Sequence, residues 1–409
     1  VIGSGISGLV SAYLLSEHYE VSLFEANDYL GGHTNTVLVD IEGETHSIDT
    51  GFIVFNKKTY PNFCQIIEKL NIPIQLSEMS FSYRSGSNGF EYNGHSLNTL
   101  FSDRKNLFKL SFYRFIKEII SFNYDAKKFL AEDESAEISI KEFIERQQYS
   151  AQFIECYLIP TMAAIWSKNK ADTLNCSAHF IFKFYANHGL LDLYNRPPWY
   201  VIAQGSSSYI APMIKRFEER IYLKTKIEMI KREANQVVLK SESNEFTFDG
   251  VVIATHSDQA LKLLSDPTEE ETTILSAIKY TENEVVLHTD EGIMPRRKLS
   301  WASWNYLDNG GGALSLTYYM NRLQSIKSRT DFFVSVNLSA AIDSSKIIRS
   351  FKYAHPCLDL DAMKAQQQIE LINGKHNTYY VGSYWGYGFH EDGVSSAINT
   401  CRLIGEMDV

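Results

Sequence analysis

The chain begins with Val1-Ile2, a glycine-broken turn, and then a run from Ile6 to Leu15 that is apolar at most positions. That pattern predicts the end of a buried strand followed by a buried helix. Val21-Ser22-Leu23-Phe24-Glu25 alternates like a second strand, Asp49 to Asn56 reads as a buried extended segment, and Pro61 to Leu70 as a short amphipathic helix. Between about Leu97 and Asn187 the spacing turns helical. Leu107, Leu110, Phe115, Ile119 and Phe122 predict the apolar face of a helix over Lys105 to Asn123, and Ile138 to Glu145 and Ala178 to Tyr185 repeat the character.

Pro197-Pro198-Trp199 interrupts the helical region, and a helix over Tyr209 to Phe217 follows Gln204-Gly205-Ser206. Ile227 to Ile230, Val237 to Leu239 and Phe246 to Phe248 read as a small meander, and Asp249 to Thr255 as a buried parallel strand. Val285 to His288, Leu299 to Trp304, Ala313 to Tyr319 and Phe332 to Leu338 predict an antiparallel sheet. A last strand ends at Thr378 to Gly382, and Asp392-Gly393 opens a helix running to about Ile404.

Length and charge narrow the reading. At 409 residues the chain exceeds one ordinary core, so two domains or one elaborated α/β domain are expected. A net charge of -10 argues against nucleic acid as a partner, because phosphate neutralisation needs a basic face. Cys64, Cys156, Cys176, Cys357 and Cys401 are odd in number and never spaced as Cys-x-x-Cys, which predicts neither a disulfide framework nor a metal site and suits a reducing, cytoplasmic setting. No apolar run reaches membrane-spanning length. The 24 Phe and 24 Tyr suit a wide apolar pocket around a planar ligand.

The turn Gly3-Ser4-Gly5-Ile6-Ser7-Gly8 has the Gly-x-Gly-x-x-Gly spacing that admits a pyrophosphate to the backbone, and the helix begun at Ile6 aims its positive end there. Glu25, followed by Ala26, lies about 20 residues on, where a βαβ unit places the acid that accepts from an adenosine ribose. A flavin-dependent enzyme is the expectation. The alternative, a glycine turn without a ligand, leaves the placement of Glu25 unexplained. The strand before Gly3 is cut to two residues, so more chain is expected ahead of Val1.

The fingerprint, a middle strand ending Val252-Ile253-Ala254-Thr255 and a glycine-rich strand-to-helix turn near the C-terminus form a layout that resembles the flavin-containing amine oxidase superfamily. More narrowly, Trp166-Ser167, Pro198-Trp199, Ser303 to Tyr306, Tyr319 to Gln324 and His390 to Gly393 resemble a bacterial subfamily of predicted NAD/FAD-binding proteins. The N-terminal region of plant cyclopropane fatty acid synthases is similar to that subfamily. The resemblance implies an α/β fold: a discontinuous Rossmann-like FAD-binding domain (1–80, 196–270 and 375–409) with an inserted α+β substrate domain (81–195 and 271–374), made of a helical lobe and an antiparallel sheet.

The resemblance also implies FAD contacts. Gly3, Gly5 and Gly8, with Ile6 and Ser7, hold the pyrophosphate, and Glu25 and Ala26 meet the adenosine ribose. Gly32 and His33 stand where many amine oxidases have Gly-Arg, which leaves His33 either a part-charged phosphate partner or a plain surface histidine. Asp49 and Gly51 match the segment beside the flavin, and the backbone of Ile227 matches the adenine contact. Ala254, Trp385, Asp392, Gly393 and Val394 complete the set. Gly382-Ser383 departs from the frequent Gly-Asp pair. Asp392 is either a structural N-cap or the start of a helix whose positive end faces the flavin pyrimidine oxygen, with the second reading preferred.

His390, Trp304 and Tyr384 are the candidate catalytic residues, with His390 expected near the flavin ring, influencing proton transfer to N5. Tyr384, Trp385, Tyr387 and Phe389 form either an aromatic wall on the substrate side or core packing. Trp166, Tyr306 and His288 are further pocket candidates, although a lone strand histidine such as His288 is more often a satisfied core residue. Lys279 lies near the region where many amine oxidases place a lysine beside N5, but reads rather as a solvated lysine at a helix end. No Gly-x-Ser-x-Gly or His-Glu-x-x-His supports a hydrolase or a zinc protease.

The expected function is FAD-dependent oxidation of a small-molecule, apolar or lipid-like substrate, with a fatty acyl chain as the candidate. The alternatives are a flavin amine oxidase, a flavin-binding accessory or electron-transfer protein for a lipid-modifying methyltransferase, and a degenerate fold without FAD, which the intact glycines and Glu25 oppose. The basic residues Lys105, Lys109, Arg114 and Lys117 among Leu and Phe leave peripheral membrane contact as an alternative to a plain core-covering helix.

Overall fold

The computed structural model describes residues 1–41, 43–132, 138–166, 170–310 and 315–405. One parallel sheet is assembled from widely separated pieces of chain. Ile2 bridges Phe24 on one side and Ile253 on the other. Leu23–Phe24 in turn pairs with Ile221–Tyr222, and Val251–Ile253 with Thr378–Tyr380. The strands are very short, and Leu23, Phe24, Val251 and Ile253 are all buried, as expected of a sheet covered on both faces. The helices Ile6–Leu15 and His390–Ile404 pack together beside it, in an apolar cluster with Val252, Val381, Ile398 and Cys401.

The meander is present as the strands Ile227–Arg232, Val237–Ser241 and Glu245–Phe248. A second, seven-stranded sheet runs in the order 347–357, 279–288, 333–336, 316–319, 304–308, 81–85, 91–93. All neighbours are antiparallel except 304–308 with 81–85, which are parallel, so the sheet is mixed. Over it lies a helical lobe that includes Leu110–Glu132, Ile140–Gln147, Ile159–Trp166 and Ala178–Asn187, sharing one apolar cluster with the sheet. The architecture is α/β, a Rossmann-like nucleotide layer joined to an α+β unit.

Several elements differ from the sequence pattern for definable reasons. The helix expected over Lys105 to Asn123 is a 3-10 turn, Arg104–Phe108, followed by a helix from Leu110; Phe115 and Phe122 are buried as expected, whereas Leu107 and Leu110 face outward. Leu299 to Ser303 is not part of a strand, which begins only at Trp304. The Asn305 amide takes both backbone groups of Ala302, donating to its oxygen at 2.6 Å and accepting from its nitrogen at 2.8 Å, and so competes with a ladder. The helix expected over Tyr209 to Phe217 is a 3-10 turn, Ser206–Tyr209, and a short α-helix, Ile210–Ile214. The C-terminal helix starts at His390 rather than Asp392. Ala313, where one predicted strand begins, and Ser167 lie outside the described residues.

Candidate functional site

The glycine turn is built by contacts that only hydrogen-sized side chains permit. Gly3 has φ +96°, and a Cβ there would lie 2.8 Å from Ala254 O. A Cβ on Gly8 would lie 1.9 Å from Gly3 O, so Gly8 serves the packing of helix on strand. Gly5 is different: its φ of -63° suits any residue, and an added Cβ meets nothing within 4 Å. Gly5 is also the N-cap of the helix Ile6–Leu15 and offers no side chain to the first-turn N–H groups, which leaves the positive helix end open.

A second helix end converges on the first. Gly393 lies against it so closely that a Cβ would sit 2.8 Å from Ser7 Oγ and 2.9 Å from Ile6 Cγ2. Asp392 is the third helical residue, not the N-cap, and its Oδ2 accepts from Phe389 N at 2.8 Å. A Cβ on Gly386 would strike this carboxyl, so Asp392 fastens the turn 386–389 to the helix start. Burial pushes its pKa up to about 6. Val394 is fully buried behind it.

Glu25 ends its strand buried and held in place. Its Oε2 accepts from Ser4 N at 2.9 Å and Ser4 Oγ at 2.6 Å, and its Oε1 from Asn27 N and Nδ2 at 2.9 and 2.8 Å. Ser4 also accepts from Gly31 N, through its backbone oxygen at 3.0 Å and its hydroxyl at 3.2 Å. The carboxylate, the glycine turn and the Gly31-Gly32 doublet are thereby one unit. Gly32, at φ +58°, lies so near Gly5 that a Cβ would be 3.2 Å from Gly5 Cα. Ala26 is exposed just beyond, and Ile227 is buried with Phe24 and Ile2.

His33 is half-buried, with its Nε2 shielded from solvent and without a hydrogen-bond partner among the described residues. Its ring lies 4.6 Å from Tyr353 and 5.3 Å from His355, both on the edge strand Ile347–Cys357. Burial, and after it His355, His256 and His390, holds its pKa well below the ordinary value, so the ring is neutral at physiological pH rather than part-charged. Gly51 crosses its backbone, where a Cβ would come 2.2 Å from His33 O. The Asp49 carboxyl is taken up by protein donors: Thr36 Oγ1 at 2.6 Å, Ser206 N and Oγ at 2.8 and 2.9 Å, and Gln324 Nε2 at 2.9 Å. It knots this segment in place.

His390 Nε2 lies 3.1 Å from Thr34 Oγ1 and 3.0 Å from Tyr209 Oη, and the ring stacks on Phe52 at 3.6 Å. Burial lowers its pKa to about 3. His288 is a satisfied core histidine, with Nε2 2.8 Å from Ser335 Oγ and Nδ1 accepting from Asp290 N at 3.0 Å. Lys279 is exposed at the start of its strand. Tyr387 and Phe389 pack on the helical lobe, on Phe180 at 4.6 Å and Phe184 at 5.0 Å, which is core packing. Tyr306 is buried and stacks with Tyr83.

Trp166, Trp304, Tyr384 and Trp385 behave differently. All belong to or pack against the apolar cluster of the α+β unit, yet the indole nitrogens and the Tyr384 hydroxyl make no well-formed hydrogen bond. Burial, and after it Tyr280, raises the Tyr384 pKa well above its ordinary value, against an opposing pull from the Trp385 indole. Buried polar atoms without partners are uncommon, and a ligand is one way to supply the missing partner.

Sequence reasoning missed the clamps Ser4 and Asn27 and the residues Thr34, Tyr209, His256, Tyr353 and His355. Ser4 sits inside the glycine motif already singled out, and Thr34 directly follows His33. His256 and His355 reach His33 from elements more than 200 residues away and carry no local signal.

The neutral histidines make the protein sensitive to acid. Burial holds His188, His288 and His355 at about 4 and His390 at about 3, whereas an unfolded chain binds these protons near the ordinary 6.5. Their contribution to stability is complete above pH of about 6.5 and is lost as pH falls toward about 4. Asp49 and Asp392, raised to about 6, work the opposite way over part of that window, but they are fewer and shifted less. The melting temperature is expected to fall as pH is lowered from about 7 to about 5; a flat or rising profile would contradict these neutral histidines.

The sequence profile of flavin-containing amine oxidoreductases matches residues 6–330. Among solved structures, cyclohexylamine oxidase from Brevibacterium oxydans superposes with a TM-score of 0.69 at 12% identity, covering 98% of each chain. A putative protoporphyrinogen oxidase from Exiguobacterium sp. gives 0.69 at 14% identity, covering 98% of this chain and 97% of that one. A fatty acid isomerase from P. acnes gives 0.68 at 14% identity, covering 98% and 96%.

Proposed function

Because the chain belongs to the flavin-containing amine oxidoreductase family, we propose that it is an FAD-dependent oxidoreductase that takes a hydride from an apolar substrate of the fatty acyl kind. The enzyme class and the cofactor follow from the family. FAD fits the residues present: an open space at Gly5, two converging helix N-termini, an acid held at the end of the second strand and an unpartnered buried histidine nitrogen at His33. When bound, the flavin supplies two-electron chemistry.

The chain's own residues then have distinct tasks. Gly5, Ile6, Ser7 and Gly8 present backbone N–H groups to a diphosphate. Ser4, Asn27 and Glu25 set the ribose end, Gly32 and Gly393 allow the close approaches to the glycine turn and its helix, and Gly51 the approach to His33. Trp304 and Tyr384 are assigned to the substrate side. His390 ties the Thr34 and Tyr209 segments to the C-terminal helix and holds the ring site by position, as a neutral imidazole.

One observation carries the apolar substrate: the rings Trp166, Trp304, Tyr384 and Trp385, whose polar atoms lack well-formed hydrogen bonds among the described residues, lie in or against an apolar cluster. The fold does not choose, since amine oxidases and a fatty acid isomerase share it equally. The test is anaerobic bleaching of the flavin by a panel of fatty acids, their esters and primary and secondary amines. Bleaching by acyl compounds alone is expected. Bleaching by amines alone would replace this reading with amine oxidation, and bleaching by none except with a methyltransferase present would make the protein an accessory to that enzyme.

A further inference from the structure

The stretch 97–124 carries large apolar side chains that the core does not use. Leu97 is 75% exposed, Phe108 89% and Leu110 87%, at the tip where the short helix Leu97–Leu100, the turn Arg104–Phe108 and the helix Leu110–Glu132 meet. The tip is ordered by its own bonds. The Arg104 guanidinium donates to Phe101 O at 2.8 Å and Asn98 O at 3.1 Å, and the Tyr113 hydroxyl donates to Leu107 O at 3.0 Å. The inner face of the long helix is complete without them, since Phe112, Phe115 and Phe122 are buried. Its outward face continues the apolar surface through Tyr113, Ile120 and Tyr124 at helical spacing, with Lys117 among them.

Charge separates this surface from the rest of the molecule. Residues 97–124 hold five basic side chains and two acidic ones, in a protein whose net charge is -10. Both acids are occupied, Asp103 by Arg297 and Glu118 by Arg114 and Ser150. Lys105, Lys109 and Lys117 stand exposed beside the apolar tip. Among the described residues no helix is long and apolar enough to cross a membrane.

We propose that the knob 97–124 docks on the surface of an anionic lipid bilayer, with Leu97, Phe108 and Leu110 entering the headgroup and acyl boundary and Lys105, Lys109 and Lys117 against the lipid phosphates. Exposed apolar anchors framed by lysine are what such a surface binds. A second copy is the less suited occupant, because a symmetric pair would set the same basic surface against itself.

The experiment is co-sedimentation of the FAD-loaded protein with vesicles of phosphatidylcholine alone and of phosphatidylcholine with phosphatidylglycerol. Two double variants accompany it, Phe108→Ser with Leu110→Ser and Lys105→Glu with Lys109→Glu, each checked for unchanged flavin absorbance and melting temperature. The protein should sediment with the anionic vesicles, less at high salt, and each pair should weaken binding by about tenfold or more. Equal sedimentation of both variants with the parent, or none by the parent, would overturn the proposal. So would self-association of the parent that the serine pair abolishes, since a second copy would then own the patch.

Discussion

Replacing Gly5 with valine is expected to leave a protein that folds and melts like the parent but no longer retains FAD, whereas Gly8→Ala should fail at folding. The two glycines belong to one motif, yet the space around them differs. A Cβ at Gly5 meets no protein atom within 4 Å and the backbone there tolerates any residue, so the substitution acts only on what approaches from outside. Overpacking a well-filled contact costs about 1–3 kcal/mol, which is roughly five- to 150-fold in affinity. At Gly8 the new atom would be 1.9 Å from Gly3 O, and relief requires moving the helix off the sheet. Flavin absorbance after gel filtration, read beside a thermal melt, checks both. A Gly5→Val protein that keeps its flavin would remove the diphosphate from this turn.

Glu271→Ala is expected to lower stability by about 1–3 kcal/mol, because it removes one of the two carboxylate partners of the Arg232 guanidinium, the other being Asp266 at 3.1 Å, and leaves the buried Tyr380 hydroxyl without its acceptor. Arg232 and Glu271 have side chains only 3% and 1% exposed and meet at 2.5 Å, and the Tyr380 hydroxyl donates to the same carboxylate oxygen at 2.7 Å. Burial works against the carboxylate's charge, but Arg232, Thr268 and Tyr380 together hold its pKa below the ordinary value. Its stabilising effect is therefore present above pH of about 4 and is lost as pH falls through the lowered value. The network joins the meander, the helix Glu269–Ala277 and the strand Thr378–Tyr380 that leads into the C-terminal turn. Chemical denaturation should show a lower midpoint with an unchanged slope; a loss below about 1 kcal/mol would mean that Asp266 or water takes the place of Glu271.

The parts of the fold legible in the sequence were those where local pattern and tertiary role coincide. The turn Gly3 to Gly8, the strand bearing Glu25 and the segment Val251–Ile253 are contiguous, apolar and punctuated by glycine, so their pattern states their place. The edge strand Ile347–Cys357 was not read, because its residues include Arg349, Lys352, His355 and Pro356 and only Tyr353 is fully buried. Half-exposed edges carry little periodicity, and proline argues against a strand except at an edge. That strand brings Tyr353 and His355 to His33, so the least legible element supplies part of the site. Leu107 and Leu110 were read as core from spacing alone; spacing fixes which residues share a face but not which face turns inward.

The two helices whose ends meet at Gly5 and Gly393 begin at residues 6 and 390, so the cradle closes only after both of these distant segments have been made. At about 5–20 residues per second a ribosome needs on the order of 20–80 s to bring the second helix out after the first. Throughout that interval Leu9, Val10 and their neighbours lack their final covering, and the central strands lack Thr378–Tyr380. Loading of the cofactor is thereby placed after synthesis of the helix His390–Ile404, and a polypeptide cut before Thr378 keeps its fingerprint intact and has nowhere to hold a flavin.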